Sequence, residues 1–280
     1  MIVVVTGASA GVGQATAREF AAHGWHVALL ARNAARLASA ADEIRRYGVK
    51  ALAIVVDVAD AEAVEAAAAR VETELGPIDA WINNAMATVF SPVVSVTPQE
   101  FRRGTEVTYL GQVYGTLAAL KRMRPRNRGT IVNVGSALSY RAIPLQSVYC
   151  GAKYAVRGFT DALRAELIHD RSAIKLVMVH LPAVNTPQFE WALNKTGLRP
   201  QPMPPIYQPE VPARAIYFAA TRLKDWQRRA HVDNGSMRGT HCAAAQTYFE
   251  RIKKLPHLSN RPRGRSEQAR SPGHKPYANA

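Results

Sequence analysis

The chain opens with an apolar run, Ile2-Val3-Val4-Val5, that passes directly into Thr6-Gly7-Ala8-Ser9-Ala10-Gly11-Val12-Gly13 and then into helix-forming sequence. A strand, a glycine turn and a helix in immediate succession leave few folds open. Amide groups at the start of a helix point outward and carry a partial positive charge, which suits an anion. Glycines let the chain turn tightly and let a phosphate approach with no Cβ in the way. Gly7, Ser9, Gly11, Val12 and Gly13 are therefore candidates to cradle a pyrophosphate, and the expected ligand is a dinucleotide.

The rest of the chain repeats the same alternation. Strands are expected at Ile2–Thr6, His26–Ala31, Ala51–Val56, Asp79–Asn83, Gly129–Gly135 and Ile174–His180. Between them, helices are expected over Gly13–His23, Ala34–Tyr47, Glu62–Leu75, most of Pro98–Met123, and Ser147–Arg171. Ala51–Val56 is continuously apolar, as a strand buried on both faces would be. This order predicts an α/β fold, one doubly wound domain with a parallel sheet of six to seven strands and helices on both faces. A seventh strand would fall near Asp225–Asp233, where Trp226-Gln227-Arg228-Arg229-Ala230-His231-Val232 makes a poor strand.

After Pro182 prolines punctuate the chain, and Phe189, Trp191, Met203 and Tyr207 lie among them. Such a stretch cannot keep regular structure for long. Residues 187–211 are read as a lid of loops and short helices over a pocket, with something apolar to bury. A helix is expected again over Val211–Leu223. The resulting division is a main domain over 1–223, a C-terminal extension over 224–255, and a basic, disordered tail over 256–280.

Composition narrows the classes. At 280 residues, 48% hydrophobic and 20% charged, the chain reads as an ordinary globular protein. No apolar run reaches the ~18 residues of a membrane span, and no basic segment precedes the first strand, so neither membrane insertion nor a signal peptide is expected. Two cysteines, Cys150 and Cys242, do not make a disulfide framework, and a cytoplasmic location fits. Of the net charge of +15, most lies from Arg222 onward, where thirteen Lys/Arg face four Asp/Glu. Such a tail could touch nucleic acid, but no aromatic-interleaved module accompanies it, so nucleic acid is not expected as a partner. The eight histidines show no His-Glu-x-x-His and no tight cluster, so no metal site is expected. His180 is read as a satisfied core residue.

Tyr149 and Lys153 stand four apart, on one face of a helix, and Ser136 lies just after the strand-like run before them. A phenol ordinarily titrates near ~10. A cation beside it favours the phenolate, and a serine hydroxyl could hold the oxygen of a reacting carbonyl or alcohol. A chance Tyr-x-x-x-Lys is common, so this set gains its weight from the glycine turn. Together, Thr-Gly-x-x-x-Gly-x-Gly and Tyr-x-x-x-Lys make the chain resemble the short-chain dehydrogenase/reductase family, from about Ile2 to Leu223.

That resemblance implies a Rossmann-type domain and hydride transfer between a nicotinamide cofactor and a carbonyl or secondary alcohol. Ser136, Tyr149 and Lys153 would be the catalytic set, with Tyr149 as acid and base. Lys153 would lower the tyrosine pKa and bond the nicotinamide ribose. Asp57 and Val58 resemble the adenine-side positions. Asn83-Asn84-Ala85-Met86 looks like the family's Asn-Asn-Ala-Gly, so Asn84 and Ala85 would line the cofactor cleft. Pro182-Ala183-Val184-Asn185-Thr186 resembles Pro-Gly-x-x-Thr, with Thr186 on the carboxamide or a phosphate. Thr108 takes the place of an asparagine that often serves a proton relay. The second strand ends Leu29-Leu30-Ala31-Arg32-Asn33 without an acid, and Arg32 offers a planar fork to a 2′-phosphate, with Arg36 one turn on. NADP(H) is therefore expected over NAD(H). The family implies a homodimer or homotetramer, and the apolar lid leans toward a small hydrophobic or steroid-like substrate. The alternative reading is a non-catalytic, NADP-binding regulatory or redox-sensing module.

Overall fold

The computed structural model describes residues 1–202 and 204–222. The extension, the tail, Cys242, Met203 and the expected strand near Asp225–Asp233 lie outside the described residues. In chain order the described elements are β1 (Ile2–Thr6), α1 (Gly11–Ala22), β2 (His26–Ala31), α2 (Ala34–Arg45), β3 (Ala51–Val55), α3 (Ala61–Glu74), β4 (Ala80–Asn83) and β5 (Val89–Phe90). They continue with α4 (Pro98–Thr105), a π-helical turn over Glu106–Leu110, α5 (Gly111–Met123), β6 (Thr130–Ser136), α6 (Ser147–His169), β7 (Lys175–Leu181) and β8 (Ala183–Val184). The last are α7 (Gln188–Trp191), β9 (Leu193–Asn194), β10 (Ile206–Tyr207) and α8 (Glu210–Thr221).

Six strands form one parallel sheet in the order β3-β2-β1-β4-β6-β7, as the alternation of apolar runs and amphipathic segments predicts. Val3, Val4 and Val5 pair with Val27, Ala28 and Leu29 on one side and with Ala80, Trp81 and Ile82 on the other. The order of connection reverses between β1 and β4. In sheets of this type the crevice outside the carboxyl ends of the strands at that point is where ligands bind. Apolar residues fill both sides of the sheet: Val5, Leu29 and Ile82 belong to one cluster, and Val4, Leu30 and Trp81 to the other.

Helix starts are set by side chains that the sequence supplies. Asn33 caps α2 by accepting from Arg36 N, Asp60 caps α3 through Ala63 N, and Thr97 with Glu100 forms a reciprocal box at α4. The expectation that Ala51–Val56 is buried on both faces is corrected: β3 is the outermost strand, and Val55 is 60% exposed. An edge strand carries apolar sequence without full cover.

α8 returns to the start of the chain. Ile216, Ala219 and Ala220 join Val12, Ala17 and Phe20 of α1 in one buried cluster, and the Tyr217 ring meets Phe20 edge-on at 5.1 Å and stacks on His23 at 4.1 Å. The proline-punctuated stretch before it holds only short pieces. β9 pairs with β5, β10 pairs with β8, and Phe189 stacks on Phe90 at 5.8 Å. Lys195 adds an ion pair with Glu100 at 2.7 Å.

Candidate active site

The glycine turn lies at the end of β1, and α1 begins at Gly11, two residues earlier than the sequence pattern indicates. Gly11, Val12 and Gly13 are thus the first helical residues, and their amides open the helix. Gly7 and Gly11 hold φ of 66° and 53°, left-handed values that glycine adopts without strain. Gly13 is different: a Cβ there would stand 2.2 Å from Gly7 O and 2.6 Å from Asn84 Nδ2. Ser9 is partly buried on the turn, and Val12 is buried.

Thr6 locks this turn to β4, a role the sequence reading did not assign. Its Oγ1 accepts from Asn84 N at 2.9 Å and Ala85 N at 3.0 Å, while Asn84 Nδ2 donates to Thr6 O at 3.0 Å. The signal was there in a threonine ending an otherwise apolar strand. Thr186 reaches the same place from beyond β7, since a Cβ on Gly11 would lie 3.1 Å from Thr186 Cγ2.

After β3, Asp57 does two jobs. Its Oδ1 accepts from Ala59 N at 3.0 Å, and its Oδ2 pairs with Arg103 of α4 at 2.6 Å. Burial works to raise its pKa, but the Ala59 amide and the charges of Arg103 and Arg32 outweigh it and hold the carboxyl below its usual range. Arg32 itself is exposed at the end of β2. Val58 is buried under the start of α5, where a Cβ on Gly111 would come within 2.7 Å of Val58 Cγ2. Arg36 faces the proline-rich stretch, its guanidinium stacked 4.1 Å from the Trp191 ring centroid.

Ser136, Tyr149 and Lys153 come together at the ends of β6 and α6. Ser136 is the last residue of β6, rather than the first after it, and shares a side-chain hydrogen bond with Tyr149. Lys153 is 1% exposed, donates to Val134 O at 2.6 Å, and lies 5.6 Å from the Tyr149 ring centroid. Burial pushes the Tyr149 phenol up to about 12, the Ser136 bond pulling against it, and pushes Lys153 down to about 7. The expected lowering of the phenol by Lys153 is not what the polypeptide alone produces. Desolvation of both groups dominates. Leu145, at φ 67°, bends the loop leading to Tyr149, and its carbonyl accepts from Ser91 N at 2.9 Å.

His180 is satisfied, as expected, but it stands directly behind the serine. Its Nδ1 bonds Ser136 O at 3.1 Å and its Nε2 bonds the Tyr140 hydroxyl at 3.1 Å. Burial pushes its pKa down to about 4, so it is neutral at pH 7 and donates from Nδ1 to the carbonyl. The Arg157 guanidinium caps the other side of the pair, 4.2 Å from the Tyr140 ring.

Thr108 lies within the π-helical turn and is fully buried. Its hydroxyl donates to Ala87 O at 2.8 Å and accepts from Ala87 N at 2.9 Å, so it ties the turn to the segment after β4. Thr108→Val keeps the shape and removes both bonds. We expect a loss of about 2 kcal/mol in unfolding free energy by denaturant titration; an unchanged midpoint would remove this tie from the account.

Behind the cleft runs a buried polar network that sequence reasoning also missed. Asn83 Nδ2 donates to Asn133 Oδ1 at 2.9 Å and to Thr116 Oγ1 at 3.0 Å, Trp81 Nε1 donates to Asn83 Oδ1 at 2.8 Å, and Asn133 Nδ2 donates to Thr160 Oγ1 at 2.9 Å. It fixes α5 and α6 onto β4 and β6. Asn83 at the end of β4 and Asn133 within β6, both in otherwise apolar runs, were its visible sign.

The sheet order, with helices on both faces and a glycine turn at its switch point, defines a Rossmann-type nucleotide-binding protein. Residues 1–196 match the family model described as short chain dehydrogenase, and the chain belongs to that family of oxidoreductases. It is 36% identical over 227 residues to the uncharacterised oxidoreductase YxnA of Bacillus subtilis, covering 80% of this chain and 63% of that one. Over 192 residues it is 33% identical to 3-dehydrosphinganine reductase of Danio rerio, covering 67% and 57%. The match therefore spans less than two thirds of either relative. Among solved structures, an actinorhodin polyketide ketoreductase with NADPH superposes with a TM-score of 0.71 at 26% identity, covering 79% of this chain and 90% of that one. L-sorbose reductase from Gluconobacter frateurii, complexed with NADPH and L-sorbose, gives 0.70 at 26% identity, covering 79% and 89%. Among the described residues no helix is long and apolar enough to cross a membrane.

Proposed function

We propose that the protein is an NADP(H)-dependent reductase of a small carbonyl compound, with Tyr149 as proton donor. The observation that carries this reading is the meeting of Ser136, Tyr149 and Lys153 at the carboxyl end of the same parallel sheet whose first strand leads into the glycine turn. The tight turn that Gly7, Gly11 and Gly13 allow, and the amides at the start of α1, fit a pyrophosphate. Arg32 would meet the 2′-phosphate, Asp57 and Val58 would flank the adenine, and Asn84, Ala85 and Thr186 would line the path toward the nicotinamide. The cofactor, when bound, supplies the hydride.

The chain's own groups do the rest. Ser136 Oγ and Tyr149 Oη hold the carbonyl oxygen between them, and Tyr149 passes its proton to that oxygen as negative charge develops. A phenol with its pKa at about 12 is protonated throughout the neutral range, which is the form that reduction needs. Lys153 would bond the ribose hydroxyls and lend its charge to the phenolate left behind. The stretch over residues 187–211 would act as a lid that keeps water out. Its short strands, the Phe90–Phe189 stack and the Lys195–Glu100 pair fasten it beside the crevice.

A screen of NADPH consumption against a panel of ketones, aldehydes and diketones tests the reading, and no turnover with any of them in a chain that binds NADPH would favour a non-catalytic module. Arg32→Asp tests cofactor choice separately. It should shift the ratio of NADPH to NADH affinity toward NADH by at least about tenfold, the loss of one phosphate contact and the gain of an acid for the 2′-hydroxyl. Titration of both nucleotides by fluorescence reads this, and an unchanged ratio takes Arg32 out of the site.

A further inference from the structure

The polar surface behind Lys153 contains one acceptor that its surroundings leave unmatched. Gln112, in the first turn of α5, is 2% exposed. Its Nε2 donates at 3.1 Å to Val134 O, the same oxygen that Lys153 Nζ meets at 2.6 Å. A carbonyl only accepts, so the amide nitrogen must face Val134 and the amide oxygen must face away. That oxygen, Oε1, is buried and has no hydrogen-bond partner among the described residues. The backbone beneath it is held too, since Asn83 Nδ2 donates to Gln112 O at 3.2 Å.

A buried acceptor without a partner is costly, and a buried ammonium has three protons to place. The Gln112 amide and the Lys153 ammonium both bond Val134 O, so the two side chains are neighbours, and a water is the natural partner for an acceptor and a donor that do not meet directly. Thr108, four residues earlier, has no proton to offer Oε1, because its hydroxyl donates to Ala87 O.

We propose that Gln112 is a positioning residue for Lys153: its Oε1 accepts a proton of the Lys153 ammonium through one buried water, fixing Nζ and favouring its charged form. The proposal deepens the reading of Lys153 as part of the active site and rests on it for its functional meaning. The titratable groups that bear on Lys153 are Tyr149 on its own helix and His180 of β7, which feels its charge, while Arg157 and Asp161 act on His180. Val134 of β6 and Gln112 of α5 bring only a carbonyl and an amide. Burial already brings Lys153 to about 7, so a change at Gln112 moves its titration within an accessible pH range.

The test uses the full chain labelled with isotopic lysine, following the Lys153 side-chain resonance by NMR from acid to alkaline pH, with Lys153→Met to assign the signal. Gln112→Leu should lower the Lys153 midpoint by at least about one unit, and Gln112→Glu should raise it by a similar amount. The pH profile of NADPH-dependent reduction should move in the same directions. A folded Gln112→Leu with the wild-type midpoint overturns the proposal. If that variant does not fold, Gln112→Glu decides alone: a raised midpoint supports the assignment and an unchanged or lowered one overturns it. The resonance requires no turnover. A wild type that reduces no carbonyl would therefore sink the functional reading and leave the Gln112 result to be judged separately.

Discussion

Tyr149→Phe should cut carbonyl reduction by about 10²- to 10⁴-fold, the usual worth of a positioned proton donor, with NADPH affinity nearly unchanged. The substitution removes one oxygen and keeps the ring, so packing around Lys153 and Ser136 survives. Ser136 keeps its bond from Leu138 N, at 3.1 Å, and can still hold a carbonyl oxygen. What is lost is the proton. Single-turnover kinetics should show the loss in the chemical step, and equal turnover by the variant would reject Tyr149 as the acid. The pH dependence carries a second signature. With the phenol at about 12, reduction by the wild type should not fall through loss of the Tyr149 proton anywhere in the neutral range. Alcohol oxidation needs the phenolate, so its rate should climb as pH rises above neutrality.

The second large effect is expected at the other end of the crevice. Gly13→Ala adds one methyl group 2.2 Å from Gly7 O and 2.6 Å from Asn84 Nδ2, distances that real Cβ atoms do not keep. The first obstacle is backbone, so no side-chain rotation relieves it. Either the turn opens or α1 shifts, and in both cases the amides at Gly11, Val12 and Gly13 leave their positions. NADPH affinity should fall by at least about 100-fold, the loss of roughly 3 kcal/mol of charge-assisted contacts. Overpacking of this kind also costs about 1–3 kcal/mol of stability. A thermal melt separates the two effects. A variant that melts like the wild type and binds NADPH normally would show that the turn does not hold the phosphates.

Most of the sheet was legible because its strands are short apolar runs bounded by glycine, proline or caps. His26–Ala31 and Ile2–Thr6 needed no adjustment. What could not be read is what depends on partners distant in sequence. Asp57 meets Arg103 across forty-six positions, and Gln112 meets Lys153 only through Val134. The π-helical turn at Glu106–Leu110 left no mark in the residue pattern, because one extra residue in a helical ladder changes register without changing propensity. Thr108 was noticed as an unusual residue, but its engagement with Ala87 was not visible. The nearness of Tyr149 and Lys153 was legible from their spacing, whereas the direction of their pKa shifts depended on burial, which spacing does not report. The edge position of β3 was likewise a matter of topology.

The packing of α8 on α1 has a consequence for the order in which this protein can be made. During synthesis the glycine turn and its helix leave the ribosome before α8, whose Ile216, Ala219 and Ala220 follow nearly two hundred residues later. Until they arrive, Phe20 and Ala17 have no cover on that side. The glycine turn is therefore fully wrapped only once α8 has emerged, and a chain that stopped where the family match stops, at residue 196, would leave α1 half wrapped.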